Sequence, residues 1–154
     1  MEAFKIALFE QEHAGPFPTY RSLSSAEGRA LQACLARQFG LTASGPAGEF
    51  ERALASRQTY YQEANAEQDF ALLPTLTALG IAPLPELFVN WARFEEVDAF
   101  QTADVARYFN ALWYPVADDS DLFDASFNWL VSIRHDGVVS VRWSTYAGQF
   151  RALS

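Results

Sequence analysis

The chain has 154 residues, 50% of them hydrophobic and 15% aromatic, enough for one well-packed domain and too apolar for long disorder. Eleven Lys and Arg against nineteen Asp and Glu give a net charge of −8, which opposes a nucleic-acid backbone or an anionic membrane as the main partner. A single cysteine excludes an internal disulfide and fits a reducing, cytoplasmic setting. The N-terminus lacks the basic start and apolar core of a secretory signal. The longest uncharged run, 16 residues between Asp69 and Glu86, is short for a bilayer and contains three prolines.

In chain order, Phe4, Ile6 and Leu8 alternate, which favours a strand over a helix for the first ten residues. Pro16 and Pro18 make 15–20 a connector. Ser24 with Glu27 three residues on forms a capping box, and Ala30, Leu31, Cys34, Leu35 and Phe39 follow at helical spacing before Gly40. The spacing predicts a helix over 25–39 with Cys34 as inert core filler. Ser44, Gly45 and Pro46 open a second helix, with Glu49 and Glu51 in its first turn and Phe50, Leu54 and Tyr61 on its inner face. Asn65 is placed to cap a third, carrying Phe70, Leu73, Leu76 and Leu79, kinked at Pro74 and ended by Gly80. From Pro85 the residues Leu87, Phe88, Trp91, Phe94 and Val97 follow helical spacing while Leu87, Val89 and Trp91 also alternate; of the two a fourth helix is expected there. Thr102 is placed to cap a fifth, with Val105, Phe109, Leu112 and Trp113 on one face.

The period then drops to two. A loop of His135, Asp136 and Gly137, with Gly137 left-handed, pairs Ile133 with Val139, Val131 with Val141 and Trp129 with Trp143. A two-residue loop would instead split the apolar face. The other face, Ser132 opposite Ser140 and Arg142 beside Leu130, is expected to meet water or a further strand. The architecture expected is therefore α+β: a helix-rich single globular domain over 1–154 with a C-terminal antiparallel β-hairpin packed on helices, or a small three-stranded sheet if the N-terminal segment joins it.

Charge is unevenly spread. Residues 86–124 hold nine acids and two bases. Among the nine, Glu95, Glu96, Asp98, Asp104, Asp118, Asp119, Asp121 and Asp124 are the candidate binding residues for a basic protein partner, because a field of one sign steers encounter. Calcium-loop spacing fails within Asp118–Asp124, since the sixth position from Asp119 is Asp124 and the twelfth is Leu130, so no metal is assigned. His13 and His135 are far apart in sequence, and nucleophile-elbow, phosphate-loop, dinucleotide and zinc-protease motifs are absent. No catalytic residue and no cofactor is therefore assigned. The function expected is that of a small acidic protein-binding protein, of the immunity or inhibitor kind that blocks a basic partner such as a nuclease toxin. A small hydrolase or metal-dependent enzyme using the 118–124 aspartates, and a non-catalytic assembly subunit, are the alternatives.

Overall fold

The computed structural model describes residues 1–152, arranged as six helices and a seven-stranded antiparallel sheet. In chain order these are α1 (Ala3–His13), β1 (Tyr20–Ser22), α2 (Ser25–Phe39), α3 (Glu49–Ala55), β2 (Thr59–Asn65), α4 (Leu72–Ala78), β3 (Glu86–Ala92), β4 (Glu96–Gln101), α5 (Thr102–Leu112), β5 (Ser120–Phe123), β6 (Trp129–Ile133), β7 (Val138–Trp143) and α6 (Thr145–Ala152). The sheet runs β1-β4-β3-β5-β6-β7-β2. This overturns the expectation of a helix-rich domain with a two- or three-stranded hairpin.

The largest difference is at 85–101. Strands β3 and β4 form a hairpin, pairing Leu87 with Phe100 and Val89 with Asp98. Leu87 and Val89 enter a core shared with Phe70 and Leu76 near α4 and Phe109 and Leu112 of α5, whereas Phe88 enters a second core with Leu35 and Phe39 of α2 and Phe50 and Leu54 of α3. A strand covered on both faces reads as a continuous apolar run, so the alternation of Leu87, Val89 and Trp91 is masked by Phe88 between them. The same double burial applies to β6, where Val131 and Leu130 point to opposite cores, and both are fully buried.

Other boundaries shift for local reasons. Residues 3–13 are a helix rather than a strand, with Lys5 and Phe9 buried one turn apart and Phe4 and Leu8 exposed. Lys5 is held there by Asp118 at 2.5 Å and the Leu112 carbonyl at 3.1 Å, with the Trp91 ring 4.7 Å away. The connector at 15–20 ends in β1, whose Tyr20 pairs with Phe100. Helix α3 stops at Ala55, and Tyr61 lies in β2 opposite Val139 instead of on a helix. Asn65 closes a turn after β2, accepting from the Glu67 N–H at 2.8 Å, and caps no helix. Pro74 causes no break because it falls in the first turn of α4, where backbone N–H groups lack helical partners anyway. Gln101 rather than Thr102 precedes α5, and the Thr102 hydroxyl donates to the Leu84 carbonyl at 2.5 Å.

The capping box of α2 and its left-handed Gly40 stop form as expected, although Cys34 is only half-buried. The hairpin register is also as expected, Trp129 opposite Trp143 and Ile133 opposite Val139, with Gly137 at φ 76°. Its second face, however, is not solvated: Ser132, Ser140 and Arg142 are all buried.

Helix α2 approaches the β3–β4 turn through Gly28. A β-carbon there would stand 2.1 Å from the Phe94 carbonyl oxygen, a backbone atom that cannot rotate aside. Gly28→Ala is expected to lower stability by about 1–3 kcal/mol, the usual cost of overpacking, despite the better helix propensity of alanine. A urea midpoint equal to or above that of the wild type would show that α2 does not sit so close.

Candidate functional site

One row of residues crosses the sheet on the face covered by α2 and α3. Asn90 of β3 stands opposite Asp121 of β5, Asp121 opposite Ser132 of β6, Ser132 opposite Ser140 of β7, and Ser140 opposite Tyr60 of β2. Above and below it the same face is apolar, with Phe88, Phe123 and Leu130. Polar side chains inside an otherwise apolar layer must satisfy one another, and these do.

The Ser132 hydroxyl and the Asn90 amide donate to the two oxygens of Asp121, the latter at 3.0 Å. Arg142, one pair further along β7, donates to the Ser132 hydroxyl at 2.7 Å, to the Gln58 side chain at 2.8 Å and to the Leu54 carbonyl at 2.6 Å. Burial pushes the Asp121 carboxyl above the usual carboxylate range, with the Ser132 bond, the Arg142 charge and the Asn90 bond pulling it partly back. Burial likewise lowers the Arg142 guanidinium, and the charge of Asp121 opposes that. The two ions thus face one another through Ser132.

Over this row lies an open cleft of about 520 Å³, whose lining includes Ala55, Gln58, Trp91 and Ile133. Its rim carries Glu51, Arg93, Glu95, Asp119 and Arg134. Arg93 and Glu95 are displayed there by a strained turn, since Arg93 (φ 45°) and Phe94 (φ 63°) are consecutive non-glycine residues in the left-handed region. Each such residue costs on the order of 1–3 kcal/mol and persists only where surroundings impose it. Here the Asn90 side-chain oxygen accepts from the Phe94 N–H at 2.7 Å, and the Phe94 ring is locked between Phe50 and Phe123. Asn90 therefore shapes the floor and the rim at once.

The eight acids expected to form a docking face are dispersed. Glu95 and Glu96 are exposed in the β3–β4 hairpin, Glu95 at the cleft and Glu96 beside a smaller cavity shared with Lys5 and Trp91. Asp98 is buried, taking the Met1 amino group at 2.7 Å, the Ser22 hydroxyl at 2.5 Å and the Trp91 indole at 2.9 Å. Asp104 lies in the first turn of α5. Asp118 holds Lys5 and the Tyr114 N–H. Asp119 accepts from the backbone N–H of His135 and lies 2.9 Å from its ring; burial resists its ionisation, but His135 and Arg134 bring its carboxyl below the usual range. Asp121 forms the cleft floor. Asp124 is buried, accepting from the Leu84 and Ser126 backbones and the Trp129 indole.

Short aspartates beside turns take the nearest N–H groups, and this draws most of the cluster inward. Among the described residues no group of three or more His, Cys, Asp or Glu is arranged to hold a metal ion. The two histidines also go to separate places, His13 stacking on Phe9 and His135 meeting Asp119. Sequence reasoning missed Glu51, Gln58, Asn90, Ser132 and Arg142 as parts of one site. The available signal was Asn90, Ser132 and Arg142 interrupting three apolar strand runs.

Comparison with protein-family models, curated proteins and solved structures finds no match for the chain.

Proposed function

We propose that the protein is a small acidic protein-binding protein, of the inhibitor or immunity kind, that seats a cationic side chain of a basic partner in the cleft over Asp121. The observation that carries this is the balance of charge still available there. The charges of Arg142 and Asp121 offset one another, Arg142 also donating to Leu54, Ser132 and Gln58, and Arg134 is paired with Asp136 at 3.1 Å. Glu51 and Glu95 enter no ion pair among the described residues, and each Asp121 oxygen accepts one hydrogen bond where it can accept two. Against these stands Arg93. A guanidinium or ammonium entering the cleft offsets the desolvation that raises the Asp121 carboxyl, while the rim acids steer its approach. A cytoplasmic setting, with its reduced thiols, accords with the lone Cys34. No helix among the described residues is long and apolar enough to cross a membrane.

The probe is a short capped peptide containing one arginine, titrated into isotopically labelled protein. Saturable shifts of the Asn90 side-chain amide signals are expected, weakening as salt rises, because rim charges lose reach beyond a screening length of about 8 Å. Glu51→Gln with Glu95→Gln is expected to weaken binding several-fold and leave the melting temperature within about 2 °C, as both side chains lie at the surface. If a glutamate peptide shifts the same signals equally, or the double change has no effect, the cleft is not a cation site.

A further inference from the structure

The two outer strands of the sheet are finished differently. Strand β1 has three residues and follows Pro16 and Pro18, so it offers a short edge beside residues that cannot donate. Strand β2 has seven residues, Thr59–Asn65, and within the described sheet β7 is its one neighbour. Its register with β7 holds from Thr59 to Tyr61 and resumes at Asn65, which leaves Gln62, Glu63 and Ala64 in a bulge without partners in β7. The Thr-Tyr-Tyr start, which precedes the bulge, is strongly strand-forming and carries neither lysine nor proline, so the stretch open to pairing is Thr59–Tyr61, with the bulge closing it off beyond.

The chemistry beside this edge has one sign. From Gln58 to Leu84 the chain contains Glu63, Glu67 and Asp69 and no Lys, Arg or His. Glu63 and Asp69 line a groove of about 330 Å³ between β2 and the start of α4, with Phe70 and Pro74 as its apolar wall. The edge is also continuous with the cleft. Tyr60 ends the polar row through its pairing with Ser140, and its hydroxyl lies within hydrogen-bond distance of the amide of Gln58, which lines the cleft.

We infer that β2 is a strand-addition site, where an extended basic segment of a partner protein joins the sheet as an eighth strand with lysine or arginine side chains toward Glu63 and Asp69. Main-chain hydrogen bonds supply the affinity of such a contact, and alternate side chains supply its selectivity. The inference shares the basic partner with the cleft reading, but it stands on different residues and is tested on them.

The test titrates full-length labelled protein with a capped peptide alternating lysine with threonine or valine, and with its glutamate counterpart. The lysine peptide is expected to shift the amides of Thr59–Tyr61 and slow their hydrogen exchange at least tenfold, and the glutamate peptide to do neither. Gln62→Pro, placed in the bulge so that no registered β7 partner is lost, is expected to reduce affinity at least fivefold. Glu63→Lys with Asp69→Lys is expected to abolish binding of the lysine peptide and to admit the glutamate peptide, which separates charge selection from any loss of fold. Shifts confined to Asn90 would support the cleft and overturn the edge; shifts confined to β2 would do the reverse. Equal binding of both peptides, or no response from β2, overturns the inference.

Discussion

Arg142→Ala is expected to lower stability by about 3–5 kcal/mol at neutral pH, because removing one member of a buried charge pair leaves the other uncompensated. The loss includes three acceptors, the Leu54 carbonyl, the Ser132 hydroxyl and Gln58, each deprived of a donor. It also removes the nearest cation from Asp121, whose carboxyl is already raised by burial. A raised carboxyl in the folded state favours folding when protonated, and that contribution is lost as pH rises through the folded pKa. In the variant the carboxyl rises further, so the penalty is largest at neutral pH and shrinks as pH falls through the raised pKa. Denaturant titrations at neutral and mildly acidic pH measure both. A pH-independent penalty would mean that the cost is packing alone. Pairing Arg142→Met with Asp121→Leu is expected to recover only part of the stability, since it removes the uncompensated charge but leaves Leu54, Ser132, Gln58 and Asn90 without their partners.

Trp129→Ala is expected to cost about 3–5 kcal/mol as well, through a different mechanism. Trp129 is 3% exposed in the core shared with α4 and α5, and its indole donates to the buried Asp124 at 3.2 Å. Truncation opens a cavity and deprives Asp124 of a donor, although the Ser126 and Leu84 N–H groups remain. The useful control is Ser132→Ala. Read from the hairpin alone, Ser132 faces water or a further strand and its hydroxyl is dispensable. In the folded chain that hydroxyl links Arg142 to Asp121, and its loss is expected to cost about 1–3 kcal/mol, the price of leaving buried polar groups unsatisfied. Thermal or urea unfolding of the two variants checks the ranking. A silent Ser132→Ala would show that the network bears little of the stability.

Features whose partners lie a few residues away were legible in the sequence. Ser24 and Glu27 cap α2 because the groups they satisfy are three positions apart, and Gly40 stops that helix by its own backbone freedom. The pairing of Trp129 with Trp143 could be deduced because a three-residue loop joins the strands and only one register keeps their apolar residues together. The net acidity likewise belongs to composition. Covering both faces of a sheet is not a local property, and it made Leu87, Phe88 and Val89 resemble a helix until their separate cores were seen.

The cleft was still less accessible. Asn90, Asp121, Ser132 and Arg142 come from four strands, and only the strand order brings them into one row. The tertiary structure also decided which acids remain free. Asp98, Asp118 and Asp124 are drawn inward by an amino group, a lysine and N–H or indole donors that lie mostly far along the chain, while Glu51 and Glu95 stay at the cleft rim. Sequence determined the amount of negative charge, but burial and hydrogen bonding between distant segments determined where it can act, because a carboxylate taken out of water is retained only where the fold supplies donors or a cation.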